Sequence, residues 1–179
     1  MPNHVKNIIS LEGNPEKIQQ MLEKIKNDEY GIGTIDFNKV IPMPENIYTG
    51  NLGQRERMLY GDNNWYDWSV RNWNTKWNAY DYGKDYSKSG KLKFLTAWSA
   101  PHPVIEKLAE MFPEIKFTHE WADEDIGMNC GRRVYAEGER MEEYHPDYSH
   151  ESAEFALSVW DSGTEESEEE SMNFGQSAT

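Results

Sequence analysis

The order of two hydrophobic periodicities along the chain constrains its fold more than any other feature. Alternating apolar residues, typical of a half-buried strand, occupy residues 4–11, and a helical stripe follows in residues 14–25. A second strand pattern at residues 91–98 leads into a second helix pattern, which Pro113 terminates, and alternation resumes at residues 115–121. This succession predicts an antiparallel sheet that carries two helices on one face.

Local signals place the boundaries of several elements. Asn14 and Pro15 offer a helix N-cap followed by a proline at the first helical position. Residues 65–73 have helical spacing, and we predict that this helix breaks at Asn74. Residues 76–82 and 91–98 flank a loop rich in Gly, Ser, Asp and Lys, and this pattern predicts a hairpin with a long connection.

Residues 128–160 complete the domain. Residues 128–137 and 140–144, joined through a glycine, predict a further hairpin, and residues 152–160 predict a final amphipathic helix. The fold class is therefore α+β, a ferredoxin-like sandwich. We assign residues 1–160 to this one domain, with a Trp-rich insertion at about residues 42–74.

Residues 161–179 have a different composition. They contain six acidic residues and no basic one, set among Ser, Gly and Thr. Such a segment buries too little apolar surface to offset the entropy of ordering it. We predict a disordered acidic tail.

Charge and cysteine content narrow the classes of protein to which the chain could belong. The chain has 18 basic and 32 acidic residues and a formal net charge of −14. This charge argues against direct nucleic-acid binding and favours a protein partner with a basic surface. No stretch is apolar enough to span a membrane, so we expect a cytoplasmic protein. The single cysteine, Cys130, is expected to be buried and inert, and we expect no metal or cofactor.

Three short motifs carry a family resemblance. Residues 72–81 read NWNTKWNAYD, residues 96–101 read TAWSAP, and the chain opens with MPNHV. Together they resemble the YubB-like family of bacteriophages and conjugative plasmids, over roughly residues 1–137. The resemblance implies a ferredoxin-like domain, an origin in a mobile element and a bacterial host cell, but it brings no catalytic residue. Asn74 stands where the family pattern has glycine, so the geometry of that turn is in question.

The leading functional hypothesis is a non-enzymatic accessory protein that binds and inhibits a host protein, such as a component of a defence system, through an acidic surface. Carboxylate clusters usually form only a solvated face, but they also complement a basic groove. The expected surface consists of Glu120, Asp123, Glu124, Asp125, Glu139, Glu142 and Glu143. We expect Arg140 to be the one basic residue among the acidic side chains of residues 137–154.

The alternative hypothesis is a small-molecule or nucleotide-binding module that sequesters its ligand in an aromatic pocket. Large rings usually fill a core, yet rings beside a cation also suit a stacked base. The pocket would be lined by Trp65, Trp68, Trp73, Lys76 and Trp77. We further predict that Trp77 and Trp98 lie on adjacent strands with buried rings. A third hypothesis, an enzyme acting through the carboxylate clusters, lacks any catalytic motif in the sequence.

Overall fold

A computed structural model describes residues 1–162, which form a five-stranded antiparallel sheet with helices on both faces. The strands are β1 His4–Glu12, β2 Lys91–Ala97, β3 Lys116–Asp123, β4 Cys130–Ala136 and β5 Glu139–Tyr144. The helices are α1 Pro15–Ile25, α2 Gln54–Tyr60, α3 Trp65–Trp73, α4 Tyr86–Ser89, α5 His102–Met111 and α6 His150–Asp161, with a 3₁₀ turn at Phe37–Lys39. Apart from its first two residues, the predicted acidic tail lies outside the described residues.

The strand order is β2-β1-β3-β4-β5, and β1 pairs antiparallel with both β2 and β3. Because α5 connects β2 to β3, the chain crosses over β1, which is the interleaving of a ferredoxin-like sheet. The core lies between this sheet and helices α1 and α5. Ile9, Leu92 and Phe117 from the sheet pack with Met21 of α1 and Ile105 of α5. The predicted fold class is confirmed.

The predicted N-cap at Asn14 forms, and an asparagine that was not predicted as a cap begins α3. The Asn14 side chain accepts a hydrogen bond from the Glu16 amide at 2.8 Å and begins α1. Asn64 does the same for α3 through the Asp67 amide, at 2.9 Å. Helix α3 ends at Asn74, whose φ of 64° is left-handed. Asparagine tolerates this conformation, as glycine does, so the turn forms with Asn74 in place.

The predicted first hairpin strand, residues 76–82, does not form. Only Tyr80 bridges to Leu95 of β2 there, through two backbone hydrogen bonds of 3.1 and 2.8 Å. Asp81 has a φ of 49°, which interrupts extended structure, and the Asn78 side chain instead bonds the amide of Phe37 at 2.9 Å. The edge of the sheet beyond β2 is therefore an irregular segment.

Helix α6 packs on the sheet face opposite α1 and α5. Ala156 and Val159 of α6 contact Ile8, Ala122 and Cys130. The periodicity predicted this helix but not the face that it covers. Burial of the cysteine is confirmed, and it raises the pKa of the thiol. Within residues 1–162, no helix combines the length and apolar character needed to cross a bilayer.

Candidate functional site

Trp98 follows β2 in a backbone conformation that large residues rarely adopt. Its φ is 72°, and it is 43% exposed. Two residues distant in sequence hold this conformation, because the Trp98 amide donates to the Asn3 carbonyl at 2.9 Å and its carbonyl accepts from the Asn129 side chain at 3.1 Å. The surrounding structure thus fixes a strained backbone that presents an indole ring to solvent.

The turn after α3 places a second exposed indole beside the first. The Thr75 hydroxyl donates to the Ala97 carbonyl at 2.8 Å and accepts from the Ala97 amide at 3.1 Å, which fastens this turn to the end of β2. Trp77, two residues further on, is 39% exposed. The prediction that Trp77 and Trp98 are buried strand residues is wrong, because both lie in turns.

Lys76 contacts both indole rings. Its ammonium lies 4.5 Å from the ring centroid of Trp77 and 5.3 Å from that of Trp98, within the range of cation–π attraction. The aromatic surface continues on both sides. Tyr66 meets Trp98 edge to face at 6.1 Å, and Tyr80 meets Trp77 at the same distance. A cation therefore already occupies a position between two exposed indoles.

The turn after β3 brings carboxylates to this aromatic surface. The His4 amide donates to the Glu124 carboxylate at 3.0 Å, and the His4 ring nitrogen Nδ1 lies 2.6 Å from the Tyr80 hydroxyl. Burial, followed by the negative charges of Glu124 and Asp81, raises the pKa of Tyr80 to about 12. Glu124 and the next residue, Asp125, are exposed.

These residues are linked by the contacts just described and form a group that we call the aromatic–acidic surface. It consists of Lys76, Trp77, Tyr80, Trp98 and Glu124, together with Asp125, which follows Glu124 in the same turn. Five non-glycine residues among residues 1–162 have positive φ, and four of them, Asn74, Asp81, Trp98 and Asn129, lie in the turns that build this surface. Asparagine and aspartate tolerate a positive φ, so the strained backbone among these four is that of Trp98. A strained residue that presents an exposed indole beside a second one marks this surface as the candidate site.

Several of the predicted acidic residues are paired with arginines. Glu143 lies 3.2 Å from Arg133 and 3.3 Å from Arg140, and the hydrogen bond from Arg133 lowers the pKa of its carboxyl. Glu120 lies 3.8 Å from Arg132 on β4. Arg140 is the one Lys or Arg within residues 137–154, as expected, but strand pairing also brings β4 arginines alongside these carboxylates.

The other predicted acidic residues do not form one acidic surface. Asp123 is only 7% exposed, and it accepts hydrogen bonds from the Asn3 side chain and the Asp125 amide, so it has a structural role. Glu139 and Glu142 are exposed on β5, the edge strand farthest from β2. Of the seven predicted carboxylates, only Glu124 and Asp125 belong to the aromatic–acidic surface.

The predicted aromatic pocket is not a single pocket. Trp68 and Trp73 are 9% and 3% exposed and belong to the core. The Trp65 indole donates to the Gly50 carbonyl at 2.9 Å within the insertion. Only Lys76 and Trp77 reach the aromatic–acidic surface, because the left-handed Asn74 turns the chain away from the helix.

Three residues that complete or support this surface were not predicted from the sequence as site residues: His4, Tyr80 and Asn129. Tyr80 lies within the NWNTKWNAYD motif, so that motif was a usable signal. His4 and Asn129 join the surface through contacts with Glu124 and Trp98, which lie far from them in sequence. No local pattern reports such contacts.

The sheet order and the crossover through α5 place the protein in the ferredoxin-like class. The family described as a ferredoxin-like domain in Api92-like protein matches residues 72–174, more than half of the chain. The chain therefore belongs to this family. The match covers two of the three motifs noted in the sequence. It also extends beyond residue 137, where the resemblance to the YubB-like family ends. Comparisons with curated proteins and with solved structures find no match.

Proposed function

We propose that the protein is a non-enzymatic binding protein that holds a basic segment of a partner protein on the aromatic–acidic surface. The observation that carries the proposal is the placement of Trp77 and Trp98, exposed around a cation and next to Glu124 and Asp125.

The chemistry of this surface favours a cationic occupant, above all arginine. A guanidinium stacks on an indole face and binds a carboxylate through paired hydrogen bonds, so one arginine side chain can use both kinds of group present here. Trp and Tyr also supply much of the binding energy at protein interfaces. The net charge of −14 steers basic partners towards the protein.

The resemblance of the motifs to the YubB-like family supports an origin of the protein in a bacteriophage or conjugative plasmid. In a bacteriophage or conjugative plasmid, an accessory protein acts in the host cytoplasm. The partner would then be a host protein, such as a defence factor. Occupying its basic groove would inhibit it by excluding the nucleic acid that the groove holds.

The first test uses an oligoarginine peptide as the probe and the indole N–H signals of the tryptophans as the readout. We expect the signals of Trp77 and Trp98 to shift on titration, while those of the buried Trp68 and Trp73 stay in place. Affinity should fall as ionic strength rises from about 0.05 to 0.5 M, because screening shortens the range of the attraction. An oligoglutamate peptide should cause no shift.

Matched charge reversals test where the partner binds. The double variant Glu124→Lys, Asp125→Lys should weaken peptide binding by at least about tenfold. The double variant Glu139→Lys, Glu142→Lys changes the net charge equally but lies on the far edge strand, so its effect should be several times smaller. Equal losses would show only long-range attraction and would contradict a local site.

A second candidate occupant is a planar anion such as a nucleotide, which the ammonium of Lys76 beside two indoles favours. The two candidates predict opposite effects of one substitution. Lys76→Gln removes a competing cation, so it should strengthen binding of the oligoarginine peptide; it should weaken binding of an anion. Lys17→Gln, an equal charge change on the exposed side of α1, should change neither affinity.

The inhibitory role is tested with the partner itself. Affinity purification from infected or conjugating cells should recover a host protein with the wild type and with Glu139→Lys, Glu142→Lys. The same protein should be lost with Trp77→Ala, Trp98→Ala. Its activity, measured with purified components, should fall when the wild-type protein is added and recover at high salt; unchanged activity would rule out inhibition.

A further inference from the structure

A cleft of about 670 Å³ lies beside the aromatic–acidic surface, between the loop after α1 and the segment that leads into α4. This volume falls within the range of small-molecule binding sites. Four tyrosines dominate its lining: Tyr30, Tyr80, Tyr82 and Tyr86. One wall is the irregular segment that lies along the sheet edge beyond β2, where a strand was predicted.

The loop wall of the cleft is preformed. Asn27 accepts hydrogen bonds from the amides of Glu29 and Tyr30 at 2.9 and 3.2 Å, and its own amide donates to the Thr34 hydroxyl at 2.8 Å. That hydroxyl donates in turn to the Gly31 carbonyl at 2.6 Å. A ligand would therefore meet an ordered loop and lose little affinity to ordering it.

The opposite wall is also fixed. The Tyr82 hydroxyl lies 3.0 Å from the Ile35 carbonyl oxygen, to which it can donate. Gly33 has a φ of 99°, and a Cβ there would lie 2.7 Å from the Cβ of Tyr86, so glycine allows the loop and α4 to approach closely. At the start of α4, Asp85 forms a buried ion pair with Lys93, with 2.5 Å between carboxylate oxygen and ammonium.

The charge of the cleft comes from Lys84 and Asp81. The hydroxyls of Tyr80, Tyr82 and Tyr86 are neutral near pH 7, because the ordinary pKa of tyrosine is about 10 and burial raises the pKa of these three further. Lys84 is exposed and forms no ion pair with any residue between positions 1 and 162. One free cation thus lies at the mouth of an aromatic cleft.

We infer that this cleft binds a nucleoside monophosphate. The base would stack against the Tyr30 ring, which is 66% exposed and lies 5.7 Å from the Tyr82 ring, centroid to centroid. Lys84 would hold the phosphate, and the Asp81 carboxylate would accept hydrogen bonds from the ribose hydroxyls or from base N–H groups. This inference does not depend on the partner proposed for the aromatic–acidic surface.

The test titrates the four common nucleoside monophosphates into the full chain by calorimetry, with the matching nucleosides and inorganic phosphate alongside. At least one nucleotide should bind with a Kd below about 1 mM. Its nucleoside should bind about tenfold more weakly, because it lacks the contact with Lys84. Amide shifts should map to residues 27–34 and 79–87.

Matched substitutions locate the two contacts. Lys84→Gln should reduce nucleotide affinity to that of the nucleoside, whereas Lys88→Gln, exposed on α4 outside the cleft, should not. Tyr30→Leu should weaken nucleotide and nucleoside alike, and Tyr148→Leu, at a tyrosine that is 74% exposed elsewhere, should weaken neither. The inference is overturned if no nucleotide binds saturably, if Lys84→Gln has no effect, or if the shifts map to Trp77 and Trp98 instead.

Discussion

Trp73 and Trp77 are four residues apart in one motif, yet they have opposite environments. Trp73 is 3% exposed and packs edge to face on Phe37, with ring centroids 5.7 Å apart. Trp77 is 39% exposed and contacts Lys76. On a continuous helix, residues four apart share a face, so both rings would have been buried together.

The left-handed Asn74 between them causes the difference. It ends α3 after Trp73 has entered the core, and the following residues then turn along the end of β2. One backbone angle thus separates a ring that stabilises the fold from a ring that is available for binding. Residue type alone therefore does not assign a tryptophan to the core or to a binding site.

The largest expected effect on stability comes from replacing Trp73, the buried ring. Trp73→Ala should lower the free energy of unfolding by about 3 to 5 kcal/mol, the range for emptying a large aromatic site. The variant also loses the hydrogen bond of 2.9 Å from the indole to the Ile41 carbonyl. Urea titration measures the effect, and a loss below about 1 kcal/mol would contradict burial.

The next largest effect on stability comes from the partly buried His102 and the buried His119. Burial, with a smaller contribution from Arg133, lowers the pKa of His102 to about 4, and burial lowers that of His119 well below its ordinary value. Unfolding returns both to about 6.5, so the unfolded state binds protons that the folded state does not. Stability should therefore be complete above pH 7 and fall as the pH drops from 6.5 towards 4.

The variant His102→Gln isolates this contribution from those of the carboxylates. Between pH 6.5 and 4, the wild type should lose on the order of 2 kcal/mol more unfolding free energy than the variant does. Urea titrations at several pH values measure the difference. Parallel profiles for the two proteins would show that the pKa of His102 is the same in both states.

A smaller effect on stability is expected at Trp98, where two substitutions distinguish the cost of backbone strain from the loss of ring contacts. Trp98→Ala and Trp98→Gly both remove the indole, but only glycine adopts a φ of 72° without steric cost. The glycine variant should be more stable than the alanine variant by about 1 kcal/mol. Thermal and urea unfolding of the pair measure this difference; an alanine variant of equal or greater stability would mean that the turn carries no strain.

The smallest expected effect on stability is at the other exposed ring. Trp77→Ala should lower the free energy of unfolding by less than about 1 kcal/mol, because the ring leaves no large cavity. The same variant should weaken oligoarginine binding severalfold. A stability loss as large as that of Trp73→Ala would remove the distinction between the two tryptophans.

Much of the fold was predictable because its signals are local. The alternation in residues 4–11 and the N-cap at Asn14 predicted β1 and α1, and the break at Asn74 was also predicted. The strand predicted at residues 76–82 did not form, because a side-chain bond from Asn78 and the φ of Asp81 override its apolar pattern. The hydrogen bonds of Asn78 join it to Asp36 and Phe37, about 40 positions away.

The candidate site was predictable only in its parts. Sequence reasoning named Lys76 and Trp77 in one hypothesis and Glu124 and Asp125 in another, as competing explanations. The tertiary structure brings these residues to one end of the sheet. The tyrosine cleft was not predicted, because Tyr30 and Tyr82 approach one another only through the loop after α1.

The five strands and helices α1, α3, α5 and α6 follow from the sequence to within a few residues, since periodicity, caps and turn residues act over a few positions. Which rings are exposed and which carboxylates are free follows only from the tertiary structure. Those outcomes depend on strand pairing and on contacts such as that of His4 with Glu124, 120 residues apart. Contacts of that kind form when the sheet assembles, so no window of the sequence contains them.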